Sequence, residues 1–512
     1  MRVPLTIADH LERAALVYPE RVGVVDEPDQ PAASWGSLTY RRVAELARAQ
    51  AAGLDGLGVG RGERVAIVSH NAARLLVSFF GVSAWGRVLV PVNFRLNADE
   101  VGYIVEHSGA SVLLVDPELD VALAGIDCKH RFVLGAETDA SVWPTDAADP
   151  EPWDEPDEDA TATINYTSGT TARPKGVQLT HRNLWVNAAV FGWQTGVSDR
   201  DVYLHTLPMF HCNGWGMPFA LAGMGAGQVV LRKVDGAEIL RRIEQHGVTL
   251  LCGAPAVVAA ILDAAERWDG EVPGRDRVRM VVAGAPPPTR TIERMETELG
   301  WEFIQIYGLT ETSPLLTMNR RRAEWDDLSP AERATRLVRA GAPTLGVRLR
   351  TSDDGEVLAR SNVVLDGYWN QPDATADALA DGWFHTGDGG DMEDGYVAIS
   401  DRKKDVIISG GENVSSIEVE DVLHSHPAVA EVAVIGVPDE RWGETVKALV
   451  VLAVGVDADE PALIAHCRDR LAHFKCPTSV EIRDTLPRTA TGKLQKFKLR
   501  APYWEGRQRQ VN

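Results

Sequence analysis

RVAIVSHNAARLLVSFFGVSAWGRVLVPV, residues 64–92, decides the fold. Its opening RVAIVS is a continuous β-branched run, the pattern of a strand buried on both faces. From Leu75 to Val92 runs the most apolar long stretch of the chain, broken by Ser78, Ser83 and Arg87. It reads as a buried helix passing into a second strand, not as a membrane span. Working outward, SVLLVD (111–116), QVVLR (228–232), VTLLCGAP (248–255) and RMVVAGAP (279–286) repeat the strand pattern. A helix is predicted after Tyr40, with Val43, Leu46, Ala47, Ala51 and Leu54 on one face. The first twenty residues read as an amphipathic helix without a signal-peptide core. Strands alternating with helices predict an α/β architecture with largely parallel sheets.

At 512 residues the chain is too long for one core and predicts at least two domains. Lys and Arg number 52 against 73 Asp and Glu, a net charge of −21. Such a surface argues against nucleic acid or anionic membrane as partner, and obliges any anionic substrate to find a local positive site. Cys128, Cys212, Cys252, Cys467 and Cys476 are too scattered for a disulfide framework or a zinc site, which fits a reducing, cytoplasmic setting. The closing QRQVN carries no peroxisomal or lipidation signal. Residues 145–160, rich in acid and proline, read as an exposed connector. Near residue 400 the composition shifts. Gly395 to Asp405 reads as a charged turn, followed by the strand-like DVIIS, VAEVAVIGV and VKALVVL and a basic tail, which together predict a smaller, hinged C-terminal α+β domain.

The strongest chemical signal is YTSGTTARPKGV, residues 166–177. Glycine lets backbone approach a phosphate closely, hydroxyls add donors, and Lys175 adds charge. It is not a Walker A loop: counted from Gly169 the second glycine falls on Pro174, and Gly176 stands where Ser or Thr should follow the lysine. YGLTE (307–311), AGAP (283–286), HTGD (385–388), DRKKDVIISGGENVSSIEVE (401–420) and RTATGKLQKFKLR (488–500) follow it. Taken singly, each has an ordinary structural explanation as a turn, a buried corner or a solvated tail.

In this order and spacing the strings resemble the adenylate-forming superfamily, in its branch of acyl-CoA synthetases and fatty-acid–CoA ligases. The resemblance runs from LTYRRVAELA (38–47) through PVNFRLNADE (91–100) to residue 500, with Ala172 where the family usually has glycine. It implies a large N-terminal domain of stacked α/β sheets with a small β-barrel-like subdomain (residues 1–402), and a small mobile C-terminal α+β lid (403–512) hinged near Lys404. It further implies that Thr167, Ser168, Gly169, Thr170, Thr171 and Lys175 cradle ATP phosphates, with Gly284, Ala285 and Tyr307 about the adenine. Thr310 then meets the α-phosphate, Glu311 with Ser168 holds Mg2+, and Asp388 and Arg402 take the ribose. Gly410 and Gly411 line the pantetheine tunnel of coenzyme A, and Lys493 is the catalytic lysine.

The implied reaction activates a small-molecule carboxylic acid as acyl-AMP and passes it to the thiol of coenzyme A, in a monomer or homodimer. PMFHCNGWGMP (208–218) matches the stretch bordering the acyl pocket. His211 stands where amino-acid-activating relatives carry Asp, and with Trp215 it resembles the aromatic gate of fatty-acyl ligases. Gly214, Gly284 and Leu309 complete the expected acid site. A medium- or long-chain fatty acid is the first expectation, a short or aryl acid or a non-CoA acceptor the alternative.

Overall fold

The structure, a computed structural model, describes all residues except 147, 168–172, 285–286, 403–404, 410–411, 440–441, 489–493 and 506–512; of 400–402 and 413 only the backbone is described. Residues 64–92 form the predicted unit: strand Arg64–Val68, helix Ala73–Gly81 and strand Val88–Val92. The helix is buried on every side, as a helix apolar all round must be. The two strands pair in parallel at the middle of a seven-stranded sheet, beside Ala110–Val115 on one flank and Thr161–Thr167 on the other.

A second sheet of nine strands has a parallel centre made of Glu302–Tyr307, Arg279–Val282, Leu250–Gly253, Val202–His205, Gly227–Val230 and Val22–Val25, in that order. One apolar core joins the two sheets, with Val65 and Ile67 from the first and Val24 and Val230 from the second. Phe79 and Phe80 of the buried helix meet Phe219 edge-on within it, at 5.7 and 5.5 Å. The helix after Tyr40 runs Tyr40–Gly56, started by Thr39, whose hydroxyl accepts from the Arg42 amide at 3.2 Å. It buries the predicted face, Val43, Leu46, Ala47, Ala51 and Leu54.

The small β subdomain is a four-stranded antiparallel sheet of Arg348–Thr351, Glu356–Arg360, Phe384–Glu393 and Tyr396–Arg402. Here the sequence reading needs correction, because Asp394, Gly395 and Asp405 turn but Tyr396–Arg402 between them is a strand. Its acidic and basic residues do not prevent this, because one face of an antiparallel sheet tolerates solvent. A separate five-stranded sheet carries the C-terminal domain, with the predicted strands at Ile407–Ser409, Val429–Asp439 and Gly443–Leu452. No helix among the described residues is long and apolar enough to cross a membrane.

Candidate active site

Three predicted motifs leave the nine-stranded sheet at the carboxyl ends of parallel strands. His211 follows Val202–His205, Gly284 follows Arg279–Val282, and YGLTE closes Glu302–Tyr307. Ligands of open α/β sheets bind in the crevice outside such ends. Gly284 takes φ +97°, a value that favours glycine.

The 307–311 segment is the hub. The Tyr307 hydroxyl donates to Asp388 Oδ2 at 2.8 Å, joining the nine-stranded sheet to the small β subdomain. Asp388 is buried, and in register it faces Arg402 across the strand pair. The carbonyl of Thr310 lies 3.9 Å from Cys212 Sγ, beside the His211 stretch. Glu311 Oε1 accepts from the Tyr368 hydroxyl at 3.0 Å, and Lys175 Nζ stands 4.6 Å from the centre of the Tyr368 ring. Burial, and then the Glu311 carboxylate, push the Tyr368 phenol well above its usual range, so it stays a donor. Gly308 is required by space: a Cβ there would fall 1.5 Å from the Pro314 carbonyl oxygen. Thr167 pairs with Lys175 at the mouth of the phosphate-loop string.

Several predicted residues lie outside the described ones: Ser168, Gly169, Thr170, Thr171 and Ala172 of that string, Ala285, Lys404, Gly410, Gly411 and Lys493. Of Arg402 only the backbone is described.

The stretch around His211 is built differently. From Cys212 to Gly216 five consecutive residues have φ between 45° and 78°, one turn of left-handed helix. Three of them, Cys212, Asn213 and Trp215, carry side chains. Left-handed helix costs an L-residue roughly 1–2 kcal/mol, so the turn stores roughly 3–6 kcal/mol and must be held from outside. Buried asparagines hold it and its approach. Asn71 Nδ2 donates to the carbonyls of His205, Leu207 and Leu231 at 2.9, 3.1 and 3.2 Å, and its Oδ1 accepts from Met209 N at 2.8 Å. Asn165 Nδ2 donates to the Phe210 carbonyl at 3.3 Å and to Asn213 Oδ1 at 3.1 Å. Asn213 Nδ2 donates to Thr163 Oγ1 at 2.9 Å, which donates to Asn165 Oδ1 at 3.0 Å, closing a triangle. Asn187 bonds the Trp215 carbonyl and the Leu315 amide, both at 3.2 Å. A bond of this kind is worth about 1 kcal/mol net, so several of them suffice to offset the strain.

Trp215 is 4% exposed and shares one apolar cluster with Phe191, Leu207, Cys252, Val281, Ala283 and Ile304. His211 starts the turn, its amide donating to the Pro208 carbonyl at 3.0 Å. Sequence reasoning missed Tyr368 and the asparagines. The one available signal was Asn165, a residue disfavoured in strands sitting inside the apolar run ATIN.

Carboxylates and a lysine, joined through Tyr307 and Tyr368, therefore gather beside a strained turn near the carboxyl ends of parallel strands, where open α/β sheets bind ligands. Comparison with known proteins gives the chain a family. The model of AMP-binding enzymes matches residues 11–369, and that of the AMP-binding enzyme C-terminal domain matches 418–493. 4-Hydroxybutyrate–CoA ligase 2 of Metallosphaera sedula is 38% identical over 96% of this chain and 93% of its own. 2-Methylpropanoate–CoA ligase CCL4 of Humulus lupulus is also 38% identical, over 97% of this chain and 95% of its own. Among solved structures, the anthranilate CoA ligase AuaEII in complex with anthranoyl-AMP superposes with a TM-score of 0.86 at 27% identity, covering 98% of each chain. The chain belongs to the AMP-binding enzyme family, in its acyl-CoA synthetase branch, and is an AMP-forming acid–thiol ligase.

Proposed function

We propose that the chain joins a short carboxylic acid, of the size of 4-hydroxybutyrate or 2-methylpropanoate, to coenzyme A at the expense of ATP. The observation that carries this reading is Trp215. A gate for a long chain would be a side chain free to swing, whereas this indole is packed into the core behind a left-handed turn. A pocket closed there takes a short acid better than the medium or long chain expected from the motif. The acids named for the two relatives support the same choice.

A carboxylate is a poor electrophile, and the chemistry first converts it. One of its oxygens attacks the α-phosphorus of ATP, the bond to pyrophosphate breaks, and acyl-AMP forms. The thiolate of coenzyme A then attacks the carbonyl carbon and AMP leaves with the bonding pair. Charge gathers on phosphate oxygens in the first step, so fixed cations and donors lower its barrier. Tyr307 and Asp388 hold the nucleoside, with Arg402 at the ribose and Gly284 and Ala285 beside the base. Thr310 meets the α-phosphate. Lys175, with Thr167, Ser168, Gly169, Thr170 and Thr171, holds the pyrophosphate end. His211, Gly214, Trp215 and Leu309 shape the acid site, and Lys493 bridges the incoming carboxylate and the α-phosphate.

Mg2+ fits this set as a companion of ATP. The Glu311 carboxylate supplies one hard oxygen. Among the described residues no cluster of three or more His, Cys, Asp or Glu offers a cage of its own. Mg2+ typically takes one or two carboxylates plus substrate phosphates, and it would neutralise charge on the departing pyrophosphate. For the second step we place the domain boundary at 402/403, with Lys404 as hinge, so that Gly410 and Gly411 replace Lys493 at the site.

Pyrophosphate release from ATP and Mg2+, measured over straight and branched acids from acetate to palmitate with and without CoA, tests the reading. CoA-dependent thioester formation, fastest with the short acids, is the expected result. A rate that rises with chain length to palmitate would return the function to a fatty-acid ligase.

A further inference from the structure

The left-handed turn at Cys212–Gly216 is held by a strand remote from it in sequence. Its central Asn213 is fully buried and has both ends of its amide engaged, one by Thr163 and the other by Asn165. Thr163 and Asn165 lie on the strand Thr161–Thr167, which leads into the phosphate-loop string. Thr163 is itself fully buried, and its hydroxyl closes the triangle by donating to Asn165 Oδ1. The sequence of the turn cannot hold this shape unaided, because Cys212 and Trp215 are residues that rarely adopt positive φ. At the far end Asn187 holds the Trp215 carbonyl, and a Cβ on Gly216 would come within 2.4 Å of the same Asn187 nitrogen.

We propose that Thr163 and Asn165 are positioning residues for acid selection: through Asn213 they fix the left-handed turn, and the fixed turn holds Trp215 as the end wall of the acid pocket. This inference rests on the short-acid reading above. It adds that the wall is set from the strand feeding the phosphate loop, so acid preference can change without altering any residue of the turn.

Thr163→Val removes the bridging hydroxyl at almost constant volume, and Thr163→Ser retains it. Two measurements decide the matter. The first is amide hydrogen exchange, in the enzyme without substrates, over peptides covering residues 208–218 and, as a control, 302–307. The second is the set of kinetic constants for butanoate, octanoate and ATP. Thr163→Val should exchange at least tenfold faster in 208–218 with the control unchanged. Its KM for butanoate should rise about tenfold and its preference for butanoate over octanoate should shrink, while KM for ATP stays within twofold. Thr163→Ser should match the parent in all of these. A folded Thr163→Val with parental exchange and parental preference would overturn the proposal.

If Thr163→Val does not fold, Asn213→Gly serves: it accepts the backbone angles but lacks both amide bonds, and the same loosening is expected. Parental exchange in Asn213→Gly would mean that the backbone holds the turn unaided, and the proposal would fall. If the parent enzyme makes no thioester from any acid, the short-acid reading fails. The exchange data then still decide whether the triangle holds the turn.

Discussion

The two halves of the crevice are held in opposite ways. On the side proposed for the nucleotide, side chain meets side chain across elements: Tyr307 on Asp388, Tyr368 on Glu311, Lys175 over Tyr368. On the side proposed for the acid, side-chain amides mainly grip backbone, with Asn71, Asn165 and Asn187 bonding carbonyls and amides of residues 205–216 and their neighbours, around the one buried triangle of Thr163, Asn165 and Asn213. Polar side-chain pairs can be exchanged for a ligand's hydroxyls, phosphates and metal as the reaction proceeds. Backbone grips cannot be exchanged, and so they define a shape. On the proposed reading, one side turns over charge and the other refuses the wrong acid.

Substitutions on each side should therefore fail differently. The largest effect is expected from Lys493→Ala, which on the proposed reading removes the bridge between carboxylate and α-phosphate and should impair only the first step. Pyrophosphate release should fall on the order of 10²–10³-fold, with the melting temperature unchanged and thioester formation from supplied acyl-AMP retained. Equal loss in both steps would place the lysine elsewhere. Next, Asp388→Asn weakens a charge-assisted bond on the nucleotide side. Its KM for ATP should rise roughly 10- to 100-fold while KM for the acid holds. Asn71→Ala should do the reverse. With its bonds to three carbonyls and one amide lost, denaturant unfolding should register a loss of about 4 kcal/mol, and the acid preference should blur while KM for ATP stays put.

The smallest effect concerns pH. Burial lowers His205, at the entrance to the turn, and likewise His10 and His181, from 6.5 to about 4. Between those values the unfolded chain carries protons on these rings that the folded chain does not. Stability should thus be full above pH 6.5 and fall as the pH drops towards 4, by roughly 1 kcal/mol per pH unit for each ring. His205→Gln should flatten that slope in melting curves recorded from pH 7 to 5, and an unchanged slope would exclude His205 from it.

The difference between the halves also explains what could be read in advance. Strands such as Arg64–Val68 and the helix Tyr40–Gly56 declare themselves by local periodicity, and YGLTE and HTGD by residue type. The grips declare nothing, because Asn71 and Met209 are 138 positions apart and Asn165 and Asn213 are 48 apart. Asparagine in an isolated string reads as a turn former, and only the fold reveals which carbonyls it will meet. The turn itself was equally hidden. HCNGW suggests an aromatic gate by its residue types, whereas the sign of φ is imposed by partners on another sheet. Tyr396–Arg402 was misread for a related reason, since its charges are accommodated by pairing with Phe384–Glu393, which no local pattern records.

Those long separations also order events during synthesis. The turn needs Asn71 from the loop after Arg64–Val68, Asn165 from the seven-stranded sheet, strands from the other sheet, and Leu315 to complete the bonding of Asn187. Loops of that length close late, after local elements have formed. A nascent chain that has built its first parallel strands therefore still lacks the acid pocket. The turn can be complete once Leu315 has been made, before Tyr368 and Asp388 arrive to finish the facing side of the site.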